Sequence, residues 1–271
     1  MDYQGIDIED QGRVRRIWLN RAEAANAQTL RMLHELDDAV ALAARDDSVR
    51  VVVLAGRGNH FSAGHDLKEA QAERSHFTAE ERFLYEEKHY LNYCLNIWYC
   101  EKPVIAQVQG ACVAGGFTLA SMSDLILASD DAYFWDPVTH SMGLAATELL
   151  FQPWVMGLRH AKEFLMTGER ITAAEAYRIG MVNRVHPRAE LDERTMAFAQ
   201  RVAKAPSFAM RSLKKSLNAT YDLQGFRNAI QAHFERHQIT HSSSEFARIR
   251  DDGMARLIES NKQKSGAIRE S

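Results

Sequence analysis

The chain has 271 residues, a formal net charge of −3, and 46% hydrophobic and 25% charged residues, which is ordinary for a globular protein. This charge and the lack of a dense Lys/Arg run argue against a nucleic-acid partner, and no apolar stretch approaches the ~18 residues of a membrane span. The N-terminal residues carry no signal-peptide pattern, and the three cysteines lack close zinc-type spacing. We therefore expect a reduced, cytoplasmic protein.

Residues 1–55 are predicted to form two strands, a helix and a third strand. The runs at 3–9 and 13–19 flank Gln11-Gly12, a pair typical of a hairpin turn. Apolar residues recur at helical spacing across 26–46. The run at 50–55 is almost continuously apolar, as expected of a buried strand.

The alternation of strands and helices continues to residue 129. Thr78 and Glu81 match a capping box, which predicts a long helix that ends near residue 98. Residues 104–108 and 124–129 are strand candidates, and the apolar segment 117–122 between them is predicted to be helical. This order of elements predicts an α/β fold.

A glycine pair, Gly115-Gly116, lies between the strand at 104–108 and the helix at 117–122. A helix that begins there leaves backbone N–H groups free at its positive end, where an anionic oxygen can bind. In acyl chemistry that oxygen is a thioester enolate or a tetrahedral oxyanion. The alternative is a glycine turn that only lets the helix and the strand pack closely.

The last part of the chain is predicted to be helical, after one more helix and a short strand. A capping box at Thr172 and Glu175 predicts a helix, and a short strand follows at 181–185. After that strand only helical patterns occur. We therefore divide the chain into an α/β core, residues 1–205, and a C-terminal helical region, residues 206–271.

Four motifs stand in a fixed order along the core. They are Leu19-Asn20-Arg21 with Asn26-Ala27, Phe61-Ser-Ala-Gly-His-Asp-Leu-Lys68, Gly110-Ala-Cys-Val-Ala-Gly-Gly-Phe117, and Ser123-Asp-Leu-Ile126. In this order and at this spacing, the motifs resemble the crotonase superfamily, also called the enoyl-CoA hydratase/isomerase family. The resemblance covers about residues 10–205, and a helical tail is expected with it.

The resemblance implies a spiral of strand–strand–helix units, with a helical region that builds homotrimers or dimers of trimers. It implies an acyl-CoA substrate from fatty-acid or related metabolism. Coenzyme A would be part of that substrate, and no separate cofactor is expected.

The resemblance also implies site residues. The backbone N–H groups of His65 and Gly115 would form an oxyanion hole, while the His65 side chain fills space at its loop. Contacts with coenzyme A would come from Arg21, Ala24, Ala63, His65 and Leu67. The segment after Arg21 reads Ala22-Glu-Ala-Ala25, where relatives often carry basic residues. Weaker or altered binding of the nucleotide part of coenzyme A is therefore the alternative.

Two positions depart from the hydratase pattern. Hydratases of the family place a glutamate two residues after the glycine run and another after the next strand, and the two activate water. Here those positions hold Thr118 and Val138, neither of which is a carboxylate. Hydration by two glutamates is therefore not expected.

Other polar side chains of the segment 136–148 are candidates for acid–base catalysis. Glu148 follows a stretch similar to one that carries a catalytic carboxylate in dienoyl-CoA isomerases, although the family position falls at Thr147. Glu148 is the first candidate, Asp136 the second and His140 the third; the alternative for each is a surface or capping role. Asp124, by contrast, is expected to hold loop amides.

Three histidines, His233, His237 and His241, fall on one face of a predicted helix at metal-ligand spacing. Since no carboxylate motif joins them in the sequence, we expect no metal site there, and a solvated or interface face instead. The aromatic-rich segment 85–98 is either a wall for the acyl chain or part of the core.

The expected function is that of an acyl-CoA enzyme, a lyase or isomerase, that stabilises a thioester enolate. Hydration/dehydration and double-bond isomerisation are the first reactions to consider. The alternatives are thioester or C–C bond cleavage and a non-catalytic acyl-CoA binding protein on the same scaffold. The second alternative follows from Thr118 and Val138.

Overall fold

The computed structural model describes residues 2–252, with nine strands and thirteen α-helices in that range. The strands are β1 (Ile6–Gln11), β2 (Val14–Leu19), β3 (Val51–Gly56), β4 (Val104–Val108), β5 (Ala111–Val113), β6 (Leu125–Ser129), β7 (Tyr133–Trp135), β8 (Ile171–Thr172) and β9 (Arg184–His186). The helices are α1 (Leu30–Arg45), α2 (Leu67–Arg74), α3 (Ala79–Glu86), α4 (Tyr93–Trp98), α5 (Gly115–Ser121), α6 (Val138–Met142), α7 (Gln152–Met156), α8 (Leu158–Thr167), α9 (Ala173–Arg178), α10 (Leu191–Val202), α11 (Ser207–Leu223), α12 (Phe226–Thr240) and α13 (Ser244–Asp251).

The main sheet has six strands in the order β1-β2-β3-β4-β6-β9. β1 and β2 form the expected antiparallel hairpin, with Gly12 in the turn at φ 62°, and the other neighbours are parallel. Every residue of β3 and β4 is buried, which explains why both strands read as continuous apolar runs.

A second, small sheet has the order β5-β7-β8. The sequence prediction missed all three strands because none exceeds three residues, too short for a periodic pattern. The parallel pairing of β5 with β7 sets Val113 opposite Trp135. This pairing brings the glycine pair at 115–116 close to the segment that begins at Asp136.

Helices cover both faces of the main sheet. Helix α10 contributes Leu191, Met196 and Ala199 to a buried cluster with residues of β3, β4 and β6. The larger cluster lies on the other face and includes Phe226 and Phe234 of α12. Helix α12 therefore packs into the core of its own chain.

A buried ion pair joins the helical region to the sheet. Lys214 of α11 donates to Asp124 over 2.7 Å and to the carbonyl of Lys102 over 3.0 Å. The same Asp124 oxygen accepts the Val104 N–H, so the expectation that this carboxylate holds loop amides is confirmed. The division at residue 205 stays a prediction, and residues 253–271 lie outside the described range.

Several element boundaries differ from the sequence predictions. Helix α1 begins after Thr29, which caps it, and not at Asn26, whose φ is 52°. The segment 78–98 contains the predicted capping box but passes through a π-helical stretch, Glu87–Asn92, between α3 and α4. Within residues 2–252, no helix is long and apolar enough to cross a membrane.

Candidate active site

The loop that carries His65 is fixed by three neighbouring segments. Ser62 donates its N–H to Ala111 of β5 and accepts from Val113, so the loop pairs with that strand. Ala63 donates to Ala25, which anchors the loop to the first motif as well. Asp66 then caps helix α2, a helix that the sequence prediction missed although Asp66 is an ordinary capping residue.

Gly115 is the first residue of helix α5. It follows Ala114, which lies at φ 46° and ψ −116°, a backbone conformation that is strained for a residue with a Cβ. Neither Gly115 nor His65 donates its backbone N–H to another described residue. Two free N–H groups therefore lie at the start of α5 and in the neighbouring loop.

Gly115 and His65 are in close contact. A Cβ on Gly115 would lie 2.8 Å from His65 Cε1 and 2.9 Å from Gln28 Oε1. A Cβ on Gly64, directly before His65, would lie 3.2 Å from the Gly115 nitrogen. The structure thus brings together the two backbone positions that the sequence assigned to an oxyanion hole, and the absence of a Cβ at Gly64 and Gly115 permits this close approach.

Glu148 faces His65 across the site. Its Oε2 lies 3.7 Å from His65 Nε2, and Glu148 is 8% exposed. The imidazole stacks on Tyr90 with 3.7 Å between ring centroids, which fixes its plane. Burial raises the pKa of Glu148, but His65 outweighs it, so the pKa of this carboxyl lies below its ordinary value. The lowered pKa favours the carboxylate form of Glu148 at neutral pH.

A cavity of about 140 Å³ lies between these elements. Its wall contains the predicted residues His65 and Glu148. Apolar side chains supply much of the remaining wall, among them Leu67, Val113, Val138, Leu144 and Phe246. The arrangement combines the buried carboxylate of Glu148 with apolar wall residues beside two free N–H groups.

Asp136 lies away from this cavity wall. It is 1% exposed, and it accepts hydrogen bonds from the Val138 N–H at 3.1 Å and from Gln152 at 3.3 Å. Burial raises the pKa of Asp136 to about 6. These contacts indicate a carboxylate that holds the segment 136–152 together.

The remaining acid–base candidates differ in position. His140 donates from Nε2 to the Met166 carbonyl over 3.1 Å and lies outside the cavity wall. Thr118 is buried and bonds the Ala114 carbonyl, while Val138 lines the cavity. The two positions that hold glutamates in hydratases therefore supply no carboxylate here.

The residues predicted to contact coenzyme A are only partly assembled. Ala63, His65 and Leu67 line the cavity. Arg21 pairs with Asp66 at 3.0 Å and donates to the Ala27 carbonyl. Its guanidinium therefore links the segment at Ala27 to the loop that carries His65. Ala24 lies in a short 3₁₀ turn, Ala22–Ala24, outside the cavity wall.

The aromatic segment 85–98 contributes both to the cavity wall and to the core. Tyr90 lines the cavity, whereas Trp98 stacks on Phe226 in the core with 4.7 Å between ring centroids. One residue of this segment was missed altogether by sequence reasoning. Glu86, at the end of α3, is 4% exposed and also lines the cavity.

The expectation of a solvated or interface face for the histidines of α12 is wrong, since His233 and His237 are buried within the chain. Glu86 lies beside His237 and His241, with Oε2 3.6 Å and 3.5 Å from their Nε2 atoms. His233 does not join them; its Nε2 contacts the Thr147 carbonyl at 2.8 Å. The helical spacing of His237 and His241 was visible in the sequence, but Glu86 was missed because it is far from the histidines along the chain.

Residues 9–265 match the family model described as enoyl-CoA hydratase/isomerase. The chain therefore belongs to the enoyl-CoA hydratase/isomerase family, the crotonase superfamily, and the resemblance drawn from the motifs is confirmed.

Individual relatives and a solved structure support the same family assignment. A putative enoyl-CoA hydratase, EchA13, of Mycobacterium tuberculosis is 40% identical over 89% of this chain and 81% of the relative. A 4-chlorobenzoyl coenzyme A dehalogenase of an Arthrobacter species is 33% identical over 78% of this chain and 77% of the relative. The crystal structure of a probable enoyl-CoA hydratase from Mycobacterium smegmatis superposes with a TM-score of 0.82, at 47% identity, over 87% of this chain and 94% of that chain.

Proposed function

We propose that this protein is an acyl-CoA isomerase in which Glu148 moves a proton beside a thioester held by the N–H groups of His65 and Gly115. The observation that carries the proposal is the position of Glu148, an ionised, buried carboxylate on the cavity wall and 3.7 Å from His65. A base must reach the carbon that it deprotonates, and the cavity wall is where it can do so.

The chemistry needs one base and one anion site. Glu148 would take a proton from C2 of a 3-enoyl thioester, and the electron pair would delocalise onto the thioester oxygen. The two N–H groups would stabilise that enolate, a contribution typically on the order of 10²–10³ in rate for each donor. Protonated Glu148 would then return the proton to C4, which moves the double bond to C2–C3.

Hydration is disfavoured by the same geometry. Thr118 and Val138 stand where hydratases hold their two glutamates, and Val138 presents only carbon to the cavity. One positioned carboxylate suffices to carry a proton between two carbons of an enolate. A non-catalytic acyl-CoA binding protein on the same scaffold is the other candidate, favoured by the loss of both glutamates.

Turnover on a panel of CoA esters tests the proposal. Short and medium 3-enoyl-CoA, 2-enoyl-CoA and saturated acyl-CoA esters should be offered to the full chain at saturating concentration. We expect isomerisation of a 3-enoyl-CoA to exceed hydration of crotonyl-CoA. Binding without any turnover would show a binding protein, and strong hydration of crotonyl-CoA would refute the isomerase assignment.

A further inference from the structure

Three ligand-type atoms converge on one point in the cavity wall. Oε2 of Glu86 lies 3.6 Å from Nε2 of His237 and 3.5 Å from Nε2 of His241, and the two nitrogens are 3.2 Å apart. The histidines come from one helix, α12, and Glu86 comes from the end of α3. Two helices that pack together thus hold three donor groups against one another.

This triangle has the dimensions of a metal site. A point equidistant from the three atoms lies about 2.0 Å from each, and zinc–nitrogen and zinc–carboxylate bonds are about 2.0–2.2 Å. Distances of 3.2–3.6 Å between the donor atoms are also those expected around a tetrahedral ion with such bonds. The side chains therefore need little movement to coordinate an ion.

The groups around the triangle support the carboxylate. Gln238 donates to Glu86 Oε2 over 2.7 Å, which leaves a second lone pair of that oxygen for an ion. Arg82 contacts the other oxygen, Oε1, at 3.5 Å. Such outer contacts orient a coordinating carboxylate and are typical of metal centres.

The fourth position faces the cavity. Glu86, His237 and His241 all line it, and Glu148 and His65 belong to the same wall. Two histidines and one glutamate with an open fourth position form the ligand set of several catalytic zinc sites. Imidazole nitrogen with carboxylate oxygen suits zinc among the divalent ions, whereas Mg²⁺ and Ca²⁺ prefer oxygen alone.

We propose that Glu86, His237 and His241 bind a divalent transition-metal ion, zinc in the first place, with a water molecule or a substrate oxygen as the fourth ligand. Zinc binding can be measured whether or not the proposed isomerase chemistry holds, since none of the three ligands takes part in the proton transfer assigned to Glu148. The competing arrangement is a metal-free cluster in which a protonated His237 neutralises Glu86.

Zinc binding by the tag-free full chain distinguishes the two arrangements. The protein is stripped with a chelator, dialysed, and titrated with Zn²⁺ alone, and the bound metal is measured by elemental analysis and calorimetry. We expect one zinc per chain. The variants His241→Ala and Glu86→Gln should bind zinc at least about 100-fold more weakly, because each removes a ligand.

A matched control and a spectroscopic readout complete the test. His160 is a partly exposed histidine outside the cluster, so His160→Ala should bind zinc like wild type. Co²⁺ in the wild-type protein should give the intense visible absorption of a tetrahedral site, and His241→Ala should lose it while circular dichroism shows an intact fold. Failure of wild type to bind stoichiometric zinc, or unchanged affinity in both ligand variants, would overturn the proposal.

Discussion

The carboxylate of Glu148 and the imidazole of His65 face each other with 3.7 Å between Oε2 and Nε2. The two residues come from different motifs, one from the loop before α2 and the other from the segment after α6. His65 has a free backbone N–H close to Gly115, and its side chain holds the pKa of Glu148 down. One loop residue therefore contributes to both parts of the proposed chemistry.

A methyl group at Gly115 should damage the site more than the fold. In Gly115→Ala the new Cβ would lie 2.8 Å from His65 Cε1 and 2.9 Å from Gln28 Oε1, both ends of side chains that can move. We expect the free energy of unfolding to fall by only about 1 kcal/mol, while kcat/KM falls at least about tenfold as His65 is displaced. Urea unfolding and steady-state kinetics measure the two effects.

The neighbouring glycine is the matched comparison. In Gly116→Ala the Cβ would lie 2.6 Å from the Ser62 carbonyl oxygen, which is backbone and cannot turn aside. Unfolding free energy should fall by about 1–3 kcal/mol, more than in Gly115→Ala. Equal destabilisation of the two variants, or unchanged kinetics in Gly115→Ala, would contradict the packing described for the start of α5.

Loss of either partner of the Lys214–Asp124 ion pair should lower the free energy of unfolding. Lys214 is 6% exposed and bonds Asp124 over 2.7 Å, so Asp124→Asn leaves a buried ammonium without its partner. We expect a loss of about 3–5 kcal/mol in unfolding free energy for Lys214→Met or Asp124→Asn alone. The double variant should recover part of this loss in urea unfolding. Strict additivity of the two single losses would show that the groups do not interact.

Asp136 should make stability depend on pH in a defined direction. Burial raises the pKa of Asp136 from 3.8 to about 6, so the folded state binds this proton more tightly than the unfolded state. The contribution of Asp136 to the free energy of unfolding therefore falls as pH rises from about 4 to 6, since the carboxyl must ionise inside the fold. Asn does not titrate, so the stability of Asp136→Asn relative to wild type should rise by up to about 3 kcal/mol between pH 4 and pH 7.

Urea unfolding of both proteins at several pH values measures this difference, in which the contributions of all other titrating groups cancel. A constant difference across the range would show that Asp136 does not titrate there.

Assembly of the chain is a further prediction. Helix α11 exposes the apolar side chains of Phe208 (83%), Leu213 (53%) and Leu217 (61%) to solvent. Large exposed apolar side chains on one helix are typical of contact surfaces. We expect trimers or dimers of trimers in sedimentation at micromolar concentration, and smaller species in the variant Leu213→Glu/Leu217→Glu. A stable wild-type monomer would refute this prediction.

Much of the fold could be read from local signals. Continuous apolar runs predicted β3 and β4, and the capping box of Thr78 and Glu81 predicted the start of α3. Local signals failed where tertiary contacts decide the backbone. Asn26 lies at φ 52° because its side chain is buried and bonded to the carbonyls of Arg57 and His60, and helix α1 begins only after it.

The site was predictable where motifs carry it. His65, Gly115 and Glu148 followed from motif resemblance and spacing; in the structure His65 and Glu148 line one cavity, and Gly115 lies beside His65. The cluster of Glu86 with His237 and His241 was not predictable, because it depends on the packing of α3 beside α12. No sequence spacing encodes that contact.

Exchange of the C2 proton of a short 3-enoyl-CoA in deuterated buffer tests the central claim most directly. If Glu148 removes that proton from a thioester held at His65 and Gly115, wild type should incorporate deuterium. Glu148→Gln should then be slower by at least about 100-fold, the lower range of general-base catalysis, and Asp136→Asn should remain close to wild type. Wild-type exchange that survives Glu148→Gln unchanged, or an absence of both exchange and isomerisation in folded wild type that binds the ester, would contradict the assignment.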